Sequence, residues 1–164
     1  MVTPAITLDQ YTFVYDGTAK EPAVTLNEAD GTLIPAAEYT VEYRDNVNVG
    51  TATVTVTAKD DGNYSFTTVT KDFTISQKQA QVITAPVEAD DPLTYNTRDQ
   101  KLVRPGEASG GTMVYSTDNA NNAKFEKEIP TGRAAGEYTV YFKVEGDANH
   151  SDSAVGSVKV TIAP

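Results

Sequence analysis

An internal repeat constrains this sequence more than any other feature, because a chain that repeats itself must fold into a unit that can be built twice. The first half carries Phe13-Val14-Tyr15-Asp16-Gly17 and the second Leu93-Thr94-Tyr95-Asn96-Thr97, an offset of 95 − 15 = 80 positions. Val49-Gly50-Thr51-Ala52-Thr53-Val54-Thr55-Val56 then aligns with Ala135-Gly136-Glu137-Tyr138-Thr139-Val140-Tyr141-Phe142 at an offset of 86. At the same offset Asp61-Gly62-Asn63-Tyr64-Ser65 meets Asp147-Ala148-Asn149-His150-Ser151, and Phe73-Thr74-Ile75 meets Val160-Thr161-Ile162 at 87. The copies share their ends and differ in the middle, which places the additional residues of the second copy around Thr117 to Glu128.

The repeated segments alternate with a period of two. Ala52, Val54, Val56 and Ala58 point one way, and Thr51, Thr53, Thr55 and Thr57 the other; Tyr138, Val140, Phe142 and Val144 hold the matching inward places. This is the pattern of a half-buried antiparallel strand. Branched β-carbons on the threonines restrict χ1 and favour the same conformation. Tyr39, Val41 and Tyr43 alternate similarly. The spacing predicts further strands at 10–15, 23–26, 69–75, 81–85, 93–95, 101–103, 112–116 and 157–162. Turns are expected at Asp16-Gly17, Asp30-Gly31, Asp61-Gly62, Pro105-Gly106, Gly110-Gly111 and Thr131-Gly132. Ala120 to Glu128 has some helical propensity, with Phe125 its only large apolar residue, and reads as a loop with room for one helical turn. A helix there would leave a β-grasp-like arrangement open for the second copy. The expected fold is all-β: two tandem small antiparallel β-sandwich domains of immunoglobulin-like type, 1–77 and 78–164. The bridge Ser76-Gln77-Lys78-Gln79-Ala80 is polar and not Gly-rich, which predicts limited motion between them.

Composition narrows function. The formal charge of −10 repels phosphate backbones and anionic headgroups, so neither nucleic acid nor a membrane surface is an expected partner. The chain contains no Cys, which removes disulfides, thiolate metal sites and Cys nucleophiles. No apolar run is long enough for a transmembrane helix. Met1-Val2-Thr3-Pro4-Ala5 lacks the pattern of a signal peptide, so an exported parent protein is expected to contribute this chain as an internal segment.

Tyr15-Asp16-Gly17-Thr18-Ala19-Lys20, Tyr39-Thr40-Val41-Glu42-Tyr43 and Asn46-Val47-Asn48-Val49-Gly50-Thr51-Ala52 together resemble the YDG and MBG type repeats of bacterial surface proteins. The second copy is similar in Leu93-Thr94-Tyr95-Asn96, Gly110-Gly111-Thr112-Met113, Gly136-Glu137-Tyr138 and Val144-Glu145-Gly146-Asp147-Ala148-Asn149-His150. It departs at Thr97, where the pattern has Gly, which puts the geometry of that turn in question. The resemblance covers nearly the whole chain. It implies a monomeric spacer, stalk or adhesin segment of a secreted or cell-wall-attached protein, with flanking domains as partners and a host glycan or matrix protein as the alternative. It carries no catalytic residues and no cofactor.

His150, with Ser151 or Ser153 and Asp152, has the residue types of a catalytic triad, but neighbours in one turn do not ordinarily converge as a triad must. Asp61 and Asn63, matched by Asp147 and Asn149, have the alternate-residue spacing of a calcium loop, and Asp60 and Asp152 offer further carboxylates. An Asx turn explains the same residues, and no bidentate Glu follows at calcium-loop distance. Tyr141 is expected to face outward, as a ring on which a sugar could stack, while Tyr39, Tyr43, Tyr115 and Tyr138 face the core. The longer middle of the second copy, Thr117 to Ile129, is the expected carrier of any binding. A Lys–Asn crosslink is not expected, because 72–76 and 157–163 contain no Asn.

Overall fold

In the structure, a computed structural model that describes residues 3–89, 92–120 and 123–164, the chain divides into two compact units, Met1–Lys78 and Gln79–Pro164. Nearly all of the regular structure is strand. The first unit holds β1 (Ala5–Leu8), β2 (Thr12–Val14), β3 (Val24–Asn27), β4 (Leu33–Ile34), a single 3-10 turn at Ala36–Glu38, β5 (Tyr39–Arg44), β6 (Gly50–Ala58) and β7 (Val69–Ser76). One sheet has the order β1-β3-β4 and the other β2-β7-β6-β5. The apolar positions read as inward are buried: Ala52, Val54 and Val56 are fully enclosed and cluster with Phe73 and Ile75 from the same sheet and with Leu8, Leu26 and Ile34 from the other. Each of the Val, Leu, Ile and Phe side chains among them contributes about 1.5–3 kcal/mol by leaving water.

β8 (Lys78–Gln79) lies in the expected polar bridge, which is extended strand for most of its length. The second unit continues with β9 (Gln81–Thr84), β10 (Val87–Glu88), β11 (Leu93–Thr94), β12 (Gln100–Lys101), β13 (Val103–Arg104), β14 (Glu107–Ser109), β15 (Gly111–Ser116), β16 (Thr131–Gly132), β17 (Gly136–Gly146), β18 (His150–Ser151) and β19 (Gly156–Ala163). Its main sheet has the order β11-β19-β17-β15. This is the first unit's β2-β7-β6-β5 rebuilt, in the same register. Gly50, Ala52 and Val56 pair with Ile75, Phe73 and Val69; Gly136, Tyr138 and Phe142 pair with Ile162, Val160 and Gly156. The second core is formed by Leu93, Leu102, Val103, Met113, Tyr115, Val140, Val144 and their neighbours. Each cluster is closed within its own unit's residues.

Four features differ from the sequence expectation. The sheets are not wholly antiparallel, because β2 pairs parallel with β7 and β11 with β19. The chain between the members of each pair runs through the rest of the unit, which is length enough for a parallel return. The described part of 120–128 contains no helix; Tyr115 and Glu126 instead exchange both backbone hydrogen bonds, so the segment folds back along β15. Asn121 and Asn122 of that segment lie outside the described residues. Thr131-Gly132, expected as a turn, is strand β16 and pairs with β12. The second sheet is also divided differently: β9 and β10 face β14 and β13, with a register shift at Glu107/Ala108. Gly106 belongs at that break, since a Cβ there would lie 2.1 Å from the Thr84 carbonyl oxygen.

The extra length falls where the repeat places it. Tyr115 of the Tyr115–Phe142 pair lies 115 − 41 = 74 positions after Val41 of the Val41–Val56 pair, whereas Phe142 lies 142 − 56 = 86 after Val56. The second unit therefore gains twelve residues between these strands, 86 − 74. Among its described residues it has no counterpart of the first unit's β4 and 3-10 turn before them.

Candidate functional site

The Asp-x-Asn turns that match in sequence are built differently. In the first unit Glu38, at the end of the 3-10 turn, reaches over the turn after β6. Its carboxylate accepts the Asn63 backbone N–H and the Asn63 side-chain amide, the latter at 3.2 Å. Asp61 and Asn63 are both exposed. In the second unit Asp147 closes its own turn: Oδ1 accepts the Asn149 N–H at 2.8 Å and lies 2.7 Å from His150 Nδ1. The His150 bond and the Asn149 N–H hold the Asp147 carboxyl below its usual range. Asp152 is similarly occupied, with Lys143 Nζ 2.5 Å from Oδ2 and the Gly146 N–H donating to Oδ1 at 3.0 Å. Among the described residues no three His, Cys, Asp or Glu side chains gather as a metal site would require.

His150 and the serines beside it do not converge. The Ser153 hydroxyl accepts from the Val144 N–H at 2.8 Å and donates to the Ala154 carbonyl at 2.9 Å, while Asp152 faces Lys143. The His150 ring lies against Gly110, where a Cβ would be 2.6 Å from the ring carbons, so the imidazole packs the turn on β15.

Tyr39 and Tyr115 are buried, and Tyr43 and Tyr138 pack half-buried against their cores. Tyr141 departs from its expected exposure. It sits on β17 between Ser116 and Ser157 of the flanking strands and is half-buried. A central strand has neighbours on both sides, and they cover a ring that periodicity alone leaves in water.

Two concavities among the described residues of the second unit bear on binding. One, of about 480 Å³, is lined by Tyr95, Arg133, Ala134, Ala135 and Pro164. The other, of about 310 Å³, lies at the end of β15 and includes Ser116, Lys124, Glu126, Glu128 and Thr131. Sequence reasoning placed binding at the second and passed over the first. No family model matches this chain, and no curated protein is similar to it. The two copies therefore supply the comparison that relatives otherwise would.

The buried lysine among the described residues is Lys20, with Nζ 2.5 Å from Asp16 Oδ1 and 3.1 Å from Thr18 Oγ1. Its backbone N–H donates to the Asn46 carbonyl at 2.8 Å, and the Asn46 amide donates back to the Lys20 carbonyl at 3.0 Å. These bonds tie the Tyr-Asp-Gly turn to the asparagine-rich turn, a structural use of the motif residues. Among the described residues no helix is long and apolar enough to cross a membrane.

Proposed function

We propose that this chain is a non-catalytic structural spacer of a bacterial extracellular surface protein. Its two immunoglobulin-like β-sandwich repeats of MBG/YDG type present or extend the domains that flank them. The observation that carries the reading is the parallel pair in each unit. β2 stands near the unit's beginning and β7 at its end, side by side and parallel, as do β11 and β19. Tension between the two ends of a unit pulls these strands in opposite directions along their common axis. Their cross-strand bonds, including Tyr15 N–H to the Ser76 carbonyl at 2.9 Å and Tyr95 N–H to the Ala163 carbonyl at 2.8 Å, then resist together instead of opening one at a time. The acidic surface suits a chain that stays soluble and unassociated.

Stretching the full chain by its ends tests this. The expected record has two separate unfolding events, one per unit. Tyr15→Pro, which removes the N–H donated to Ser76, is expected to lower the force of one event and leave the other in place. Smooth extension at low force contradicts the reading.

The 310 Å³ hollow favours a second reading, an adhesin or glycan-binding module that uses loops of the second repeat. Replacing 117–129 with a short turn is then expected to abolish binding to a glycan or matrix-protein array and to leave the amide spectrum of the first unit unchanged.

A further inference from the structure

β5 and β15 hold the same outer place in the two main sheets, yet their sequences differ in kind. β5 reads Tyr39-Thr40-Val41-Glu42-Tyr43-Arg44, with Thr40, Glu42 and Arg44 exposed on the face away from the core. β15 reads Gly111-Thr112-Met113-Val114-Tyr115-Ser116 and carries no charge. An uncharged outer strand with branched and aromatic residues and no Pro is a ready template for another chain. Val114 and Ser116 hold the register places of Thr40 and Glu42, but they are only 2% and 7% exposed. Val114 stands apart from the second core, so β15 is enclosed on both faces. Residues 123–128 run along this strand. The Tyr115 N–H donates to the Glu126 carbonyl at 2.7 Å, and the Glu126 N–H donates back at 2.8 Å. Ala123 and Phe125 are half-buried, while Lys124 and Glu126 are exposed and paired at 2.6 Å, the alternation of a strand. Lys143 Nζ lies 5.3 Å from the centre of the Phe125 ring, and Lys143 is the register partner of Val114, which places Phe125 on the outer face of the sheet. The segment belongs to the twelve residues that the second unit gains between these strands.

We propose that residues 123–128 are an edge guard: they take, within one chain, the place beside β15 that β15 of a second copy would otherwise fill. The first unit meets an incoming strand with the charges of Glu42 and Arg44; the second fills the position with its own chain. A second copy is the partner held off because β15 is its own complement. Two such strands offer each other six residues of uncharged branched and aromatic side chains, and pairs of that kind stabilise a sheet. The net charge of −10 opposes such contact only as far as salt leaves it unscreened. The guard's described anchors, the paired backbone bonds and the Phe125 ring against Lys143, lie outside the core, so they can be removed without emptying it. The inference goes beyond the spacer reading and does not depend on it.

The test compares the full chain with a Phe125→Ser, Glu126→Pro variant, which loses the ring and the N–H donated to Tyr115. Sedimentation velocity over a wide concentration range is read beside backbone amide NMR. The parent is expected to sediment as one species throughout. The variant is expected to shift toward a dimer as concentration rises, with the amides of 112–116 moving and those of β5 fixed. Phe125→Ser alone keeps the backbone bonds and is expected to give the same shift to a smaller extent; it decides the matter if the double variant does not fold. Adding Thr112→Lys puts a charge at an exposed place on β15 and is expected to restore the single species. A folded variant that stays monomeric overturns the proposal, as does association that Thr112→Lys leaves unchanged or that moves the amides of β5 instead. Association of the parent through 112–116 also overturns it. Loss of glycan or matrix-protein binding without any self-association removes the guard and leaves the adhesin reading standing.

Discussion

The two units place different side chains on one lattice of hydrogen bonds. Where the first pairs Ala52 with Phe73, the second pairs Tyr138 with Val160. Where the first pairs Val56 with Val69, the second pairs Phe142 with Gly156. In both exchanges a large residue on one strand is answered by a smaller one on the other, as a close-packed interior demands. The adjustment continues beyond the pair. Tyr138 lies over Gly132, where a Cβ would be 2.9 Å from the ring, whereas the first unit, with Ala at position 52, has Asn46 at the matching place. Strand order and register thus survive a change in nearly every contact, and what they require is total volume on the inward face.

The strongest way to break this comparison is to empty matching core positions. Ile75 and Ile162 are each 1% exposed and hold the same register position. Replacing either with Ala is expected to destabilise its own unit by about 2–5 kcal/mol. Urea titration with residue-resolved NMR is expected to show the other unit unaffected. Loss of both units together means the repeats are not independent.

A smaller effect sharpens the volume argument. Gly156→Val places a Cβ 2.5 Å from the Phe142 ring, and overpacking of this kind costs about 1–3 kcal/mol. Adding Phe142→Val recreates the first unit's Val–Val pair and is expected to recover most of the loss in chemical denaturation. A double variant no more stable than Gly156→Val removes compensation as the explanation.

The turn after each repeat tyrosine gives a smaller effect again. Gly17 has φ of 81°, and Thr97 adopts φ of 66°, so the turn persists although a branched residue is strained there. Thr97→Gly is expected to raise the second unit's stability by up to about 1 kcal/mol, part of the relieved strain being offset by the entropy of Gly. A lower thermal midpoint contradicts that expectation.

Acid sensitivity gives the smallest separation. The Lys20 ammonium, and then Thr18, hold the Asp16 carboxyl far below its usual range, while the matching Asn96 makes the same turn without a charge. A depressed carboxylate stabilises fully above its unfolded pKa of about 4 and loses that contribution as pH falls toward the folded value. Asp16→Asn is expected to flatten the decline of the first unit's unfolding midpoint between roughly pH 5 and pH 2. The second unit's slope, set by Asp147 and Asp152 among others, stays as it was.

Much of the fold was legible because it depends on alternation. Val54, Val56, Val140 and Val144 announce their burial by period and branching, and Gly50 and Gly136 mark the start of the central strands with φ of 142° and 150°. The parallel pairing of β2 and β11 was not legible, since a strand of two or three residues has no period that specifies its partner. The Tyr141 environment depends on which strands flank β17, and the asymmetry of the Asp-x-Asn turns depends on Glu38, distant in sequence.

Residue-resolved amide hydrogen exchange across the whole chain, with and without Ile75→Ala, tests most directly whether one module has been built twice. The account predicts that amides of β6 and β17 are the slowest to exchange in the parent chain, and that the substitution accelerates β6 alone. Equal acceleration of β17, or protection confined to one unit from the outset, would contradict it.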